Sequence, residues 1–184
     1  MRVISGKARG THLRTIEGMS TRPTTDRVKE ALFSSIQFEV LDANCLDAFA
    51  GSGALGIEAL SRGAELAVFI DQSPECVKVI NQNLVKTSLI DKAKVIKGDV
   101  FDVVSRLKGT VSPFGLVFLD PPYGQGLCEK IILRLIQDDM LIKNAIIVIE
   151  HDNNEILEAT IGPFIRVKSK RYGSTYLSTY READ

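Results

Sequence analysis

Histidine and cysteine are scarce in this chain. Its 184 residues include two histidines, His12 and His151, and three cysteines, Cys45, Cys76 and Cys128, none of them in a C-x-x-C pair. An odd number of widely spaced thiols with so little imidazole near them builds neither a disulfide framework nor a metal site, so no metal is expected. Long apolar runs are also missing. Met1 leads at once into polar and basic residues, and nothing approaches a signal-peptide core or a membrane span. A cytoplasmic protein with no membrane partner is expected. Linkers, repeats and low-complexity tracts are absent, so residues 1–184 read as one domain. Within it, residues 1–40 form a small N-terminal extension, a hairpin followed by a helix, packed on a core of residues 41–184, and the oligomeric state is expected to be monomeric.

A surplus of either charge is lacking too, with 23 Lys and Arg against 23 Asp and Glu. The distribution is nevertheless uneven. Arg2, Lys7, Arg9, Arg14, Arg22, Arg27 and Lys29 share the opening segment with only Glu17 and Asp26, and Arg166, Lys168, Lys170 and Arg171 cluster near the other end. The acidic surplus is confined to the middle, so a polyanion would be drawn to the two ends.

From Cys45 onward, short aliphatic runs alternate with stretches of helical spacing, the pattern of an α/β domain around a mainly parallel sheet. The runs are 45–50, 66–71, 93–99, 116–120 and 145–150, and five βα units are expected from them. Leu55, Glu58, Ala59 and Leu60 mark one intervening helix, Val77, Ile80, Asn81 and Leu84 a second, and Ile131, Ile132, Leu135 and Ile136 a third. After Gly162-Pro163, two strand-like runs split at Gly173 read as an antiparallel hairpin at the sheet edge. Seven strands are expected. In the opening segment, Thr24 or Thr25 caps a helix whose apolar face is Val28, Ala31, Leu32 and Ile36.

The run LDAFAGSGALG places Asp47 near the end of the first strand and Gly51, Gly53 and Gly56 on the turn into a helix. Glycines suit a turn that brings backbone close to a ligand. Asp71 ends the second strand, where a carboxylate can accept hydrogen bonds from ribose hydroxyls. The same spacing is the dinucleotide fingerprint, so the loop alone leaves NAD and S-adenosylmethionine both open. Asp47 favours the latter, because an acidic group beside the loop suits a methionine ammonium and sulfonium and repels a pyrophosphate. Asp99, ending the third strand, either reaches an adenine amino group or caps the helix that begins at Val100.

The fourth strand runs into Asp120-Pro121-Pro122-Tyr123-Gly124, the most specific chemistry in the sequence. Each residue before a proline is pushed toward extended geometry, so the turn is rigid. The lone pair of an exocyclic base amine is delocalised into its ring. The Asp120 carboxylate and the Pro121 carbonyl can accept hydrogen bonds from that NH₂ and localise the lone pair toward a methyl donor, while Tyr123 offers a flat face to an unstacked base. His12 reads as a surface residue, His151 as structural, and Tyr172, Tyr176 and Tyr180 as strand packing.

On these motifs the chain resembles the class I S-adenosylmethionine-dependent methyltransferases, in particular the amino-methylating group with a D/N-P-P-Y/F/W signature. The resemblance spans about residues 44–180. At the N-terminus, RVISGKARG and TRPTTDRVKEALFSSI resemble the bacterial family that methylates guanine N2 in small-subunit ribosomal RNA. That family often has Phe at the position of Tyr123, and either ring can stack. The resemblance implies a Rossmann-like fold, S-adenosyl-L-methionine as cofactor, ribosomal RNA or the small subunit particle as partner, and phosphate-binding work for Arg2, Lys7, Arg9, Arg14, Arg22 and Arg27. An adenine-N6 methyltransferase is the main rival, though the chain has no spare residues for a separate DNA-recognition region. Protein-glutamine methylation leaves the basic ends without a purpose. An NAD-dependent oxidoreductase leaves the Asp120–Tyr123 turn unused, and a non-catalytic RNA-binding module uses neither motif.

Overall fold

The computed structural model describes residues 1–16, 25–122 and 126–183. The apolar runs become strands β1 (Asn44–Asp47), β2 (Leu66–Asp71), β3 (Ala93–Lys97), β4 (Phe114–Leu119) and β5 (Leu141–Asp152). A two-residue β6 (Thr160–Ile161) then precedes the long hairpin of β7 (Phe164–Tyr172) and β8 (Thr175–Glu182). Across the sheet the order is β3-β2-β1-β4-β5-β8-β7-β6. Strands β1 to β5 are parallel, and β8 runs antiparallel to both β5 and β7. The sheet thus has eight strands instead of the expected seven. The extra one, β6, pairs only with Phe164 and Ile165 and is too short to produce an alternating pattern.

The helices are α1 (Asp26–Ser35), α2 (Ala54–Ser61), α3 (Pro74–Thr87), α4 (Val100–Leu107) and α5 (Leu127–Gln137). Phe33, Ile57 and Ile80 from α1, α2 and α3 pack with Phe69, Phe118 and Val148 on one face of the sheet. On the other face, Val104 and Ile131 from α4 and α5 pack with Leu46, Val68 and Ile147. Burial on both faces explains why the parallel strands read as nearly unbroken apolar runs. The fifth βα unit is not completed. Among the described residues β5 leads into a turn, where Asp152 accepts the backbone N–H groups of Asn154 and Glu155.

The N-terminal segment forms one antiparallel bridge, Arg2 to His12, closed by Val3 N–H on the Thr11 carbonyl and Leu13 N–H on that of Met1. Its docking site is α2. Glu58, fully buried, accepts the backbone N–H groups of Ile4 (2.8 Å) and Ser5 (3.0 Å) and the Arg62 Nε donor (2.7 Å). It also pairs with Lys29 at 3.2 Å, and Lys29 Nζ donates to the Arg2 carbonyl at 2.6 Å. Lys29 is therefore no surface cation. It lies on the buried face of α1 with Val28, Leu32 and Phe33. The fit is close enough that a Cβ on Gly6 would stand 1.7 Å from the Ser61 carbonyl oxygen, which excludes any side chain there.

Candidate active site

In the sheet order β1 lies between β2 and β4, so successive crossovers leave it in opposite directions and open a crevice at the carboxyl ends of the strands. A cavity of about 550 Å³ occupies that crevice. Ala50, Gly51 and Ser52 of the glycine loop line it, together with Asp47, Asp71, Asp99 and Asp120 from the ends of β1 to β4. Gly51 and Gly53 have φ of 53° and 77°, the left-handed region that a turn from β1 directly into α2 demands. Gly56 has a different task, since a Cβ there would meet the Phe69 ring at 2.3 Å.

Each acidic residue expected at the site lines this cavity, but they are held in different ways. Asp71 braces the loop, its Oδ2 accepting Gly51 N–H at 2.8 Å and its Oδ1 accepting Ser73 N–H at 2.9 Å. Asp99 caps α4 through Oδ1, accepting from Phe101 N–H at 2.9 Å, and its Oδ2 accepts from the Gln72 side-chain amide at 2.8 Å. The capping alternative is thus realised, and a ligand amino group would share Oδ2 with Gln72. Asp47 is buried beneath the loop and accepts Gly56 N–H at 2.9 Å.

Burial pushes the Asp47 carboxyl up to about 7, with Asp71 adding to the rise and the Gly56 N–H opposing it. Asp120 is also held well above the ordinary carboxylate range, first by burial, then by Glu150 and Asp47. Desolvation and crowding of like charges are the two causes, and the attraction of a cation in the cavity would oppose both. Glu150 is buried on β5. It takes part in this electrostatic group although its run reads only as strand, because the pairing that brings β5 beside β4 is long-range. Pro121 is buried and Pro122 lines the cavity. Tyr123 and Arg22 lie outside the described residues.

Met1, Thr15 and Ile16 line the same cavity, so the N-terminal segment borders it directly. The link is Asn83, a fully buried residue of α3. Its Oδ1 accepts Arg14 N–H at 2.8 Å, and its amide donates to the carbonyls of Arg14 and of Ser52 in the glycine loop, both at 3.0 Å. Asn81 marks the apolar spacing of α3, but nothing local singles out Asn83. The side chains of Arg2, Lys7, Arg9, Arg14 and Arg27 are exposed. Arg2 pairs with Asp26, and Arg14 donates to Gln82. His151 is structural: its ring nitrogens meet the Asp152 carbonyl and Ser178 Oγ, and the ring stacks on Tyr176. Among the described residues no group of side chains is arranged to hold a metal, and no helix is long and apolar enough to cross a membrane.

Comparison with known proteins gives the same architecture. The family model described as Conserved hypothetical protein 95 matches residues 1–181. A Bacillus subtilis protein named "Putative rRNA methyltransferase YlbH" is 37% identical over 182 residues, covering 99% of this chain and 99% of its own length. The Escherichia coli K12 protein named "Ribosomal RNA small subunit methyltransferase D" is 39% identical over 155 residues, covering 83% of this chain and 75% of its own. A solved structure titled "Putative methyltransferase yhhF from Escherichia coli" superposes with a TM-score of 0.86 at 35% identity, over 99% of this chain and 97% of that one. The fold is that of the class I methyltransferases.

Proposed function

The chain belongs to the Conserved hypothetical protein 95 family, and from that premise we propose that it transfers a methyl group from S-adenosyl-L-methionine to the exocyclic N2 amine of a guanine in small-subunit ribosomal RNA. The observation that carries the reading is the cavity at the glycine loop, lined by four carboxylates of which two are held above their ordinary range. Such a site suits a ligand bearing a sulfonium and an ammonium and disfavours a pyrophosphate, which argues against NAD. S-adenosylmethionine supplies, when bound, an electrophilic methyl group and positive charge.

The residues of this chain do the rest. Asp71 retains a second lone pair on each oxygen for ribose hydroxyls while it holds Gly51 in place. Asp47 would face the cationic end of the ligand, and Asp99 would accept from the adenine amine beside Gln72. With cationic charge bound nearby, the Asp120 carboxylate would accept one N–H of the target amine and the Pro121 carbonyl the other. The nitrogen must release a proton when it is methylated, and Asp120, whose buried setting beside Glu150 and Asp47 favours the protonated form once that positive charge is spent, would be suited to take it. Tyr123 is assigned, from the sequence motif, to stack on the unstacked base.

Exposed Arg2, Lys7, Arg9, Arg14 and Arg27, with Arg22, are assigned to phosphates around that base. The names of the relatives support a ribosomal RNA substrate, and folded RNA can be recognised by its shape and phosphates. The test is transfer of a labelled methyl group from S-adenosylmethionine to small-subunit RNA or particles, with NAD titrated in parallel. Label in RNA and no NAD binding are expected. Tight NAD binding without methyl transfer would overturn the reading.

A further inference from the structure

The outer edge of β7 is open. Strand β6 covers Phe164 and Ile165, and Arg166 N–H donates to the Ala159 carbonyl just before it, so among the described residues Val167 to Tyr172 have no neighbouring strand on that side. Every side chain from Ile165 to Arg171 is exposed. Two cations of this run are engaged locally, Arg166 with the Leu157 carbonyl and Arg171 Nε with that of Gly173. Lys168 and Lys170, two residues apart on one face and about 6.6 Å apart along the strand, form no ion pair among the described residues. Lys170 Nζ lies 5.3 Å from the centre of the Tyr172 ring.

The register connects this edge to the reaction centre. Lys170 pairs with Leu177 on β8, and Leu177 pairs with Glu150 on β5. In-register partners share a face, so Lys170 stands two strand spacings, about 10 Å, from the residue whose charge bears on Asp120. The hairpin tip, where Tyr172 pairs with Thr175 and Thr175 with Asp152, lies at the carboxyl end of β5, the same end of the sheet as the cavity.

We propose that Lys168 and Lys170 on the open edge of β7 form a second phosphate-binding track, holding the RNA backbone that flanks the target nucleotide at the β7 edge of the sheet. The inference rests on the RNA-substrate reading above. Charge complementarity selects the occupant: two ammonium groups outside any ion pair, on a fully exposed stretch of strand, match phosphodiester oxygens. The competing use of these lysines is to keep one sheet edge from pairing with another.

The experiment compares the wild-type chain with Lys168→Gln/Lys170→Gln and with Lys94→Gln/Lys97→Gln, which removes equal charge from the opposite edge strand β3. Binding to transcribed small-subunit ribosomal RNA is measured over a salt series, together with S-adenosylhomocysteine affinity, melting temperature and sedimentation. For the β7 variant the slope of log K against log salt should fall by roughly 0.7–0.9 per lost contact, with cofactor affinity and melting temperature unchanged. The β3 variant should keep the wild-type slope. An unchanged slope in the β7 variant overturns the proposal. New self-association with RNA binding intact does so as well, since it would leave edge protection as the only role. A wild-type chain that binds no RNA at all would overturn the RNA reading itself, and so is distinguishable from failure of the track alone.

Discussion

Replacing Asp47 by Asn probes the electrostatic design of the cavity. The wild-type carboxyl is buried and rises from 3.8 to about 7 in the fold, a difference of about 4 kcal/mol at 1.36 kcal/mol per unit. Between those two values the folded protein holds a proton that the unfolded chain releases. Stability therefore falls as pH rises from about 4 to 7 and levels off above, where Asp47 is ionised in both states. Asparagine keeps an oxygen to accept Gly56 N–H, but its buried NH₂ costs roughly 1–3 kcal/mol if it finds no acceptor. Ligand-free Asp47→Asn should then be more stable than wild type at pH 8 by about 1–3 kcal/mol, and less stable or equal at pH 4. In a chain of this length each kcal/mol shifts the melting temperature by roughly 2–4 °C. S-adenosylmethionine should bind more weakly to the variant, because the charge that disfavours the empty fold is the one that meets the ligand. Urea denaturation at the two pH values and calorimetric titration of the ligand read both effects. Equal destabilisation at both pH values with unaltered ligand affinity would reduce Asp47 to a loop brace and refute the argument.

Asp120→Ala should lower the single-turnover methyl-transfer rate by on the order of 10²-fold or more while leaving a folded protein, as expected for one preorganised hydrogen bond made at the reacting amine; a near-normal rate would remove it from the mechanism. Lys29→Met leaves the Glu58 charge buried with one cation fewer and should cost roughly 3–5 kcal/mol in denaturant unfolding. Lys29→Met combined with Glu58→Gln should recover part of that loss, and a single variant as stable as wild type would show that the pair does not anchor the N-terminal segment.

Much of this site was legible along the chain because its signals are local. Gly51, Gly53, Asp71 and Asp120 sit at strand ends beside residues that force a turn, and the alternation of apolar runs with helical spacing places those ends together at one edge of a parallel sheet. What escaped depends on partners distant in sequence. Glu58 reads as one position of an apolar helix, and Lys29 as one of several basic residues, until folding buries them against each other; a charge within the apolar run ALGIEAL is the signal that could have suggested pairing. Asn83 joins Arg14 to Ser52 across 69 and 31 residues, a separation that no local pattern encodes. Strand β6 gains its pairing from the turn at Gly162-Pro163 and carries too few residues to announce itself. Asp99 was ambiguous for a physical reason, since one carboxylate can cap a helix with one oxygen and face a cavity with the other.

The central claim is that this cavity delivers a methyl group to the N2 amine of a guanine in ribosomal RNA. Its most direct test is mass spectrometry of nucleosides from small-subunit RNA or particles incubated with the protein and isotopically labelled S-adenosylmethionine. The account predicts labelled N2-methylguanosine that disappears with Asp120→Ala, whereas labelled N6-methyladenosine without N2-methylguanosine would contradict it and make adenine the substrate of the Asp120-Pro121 turn.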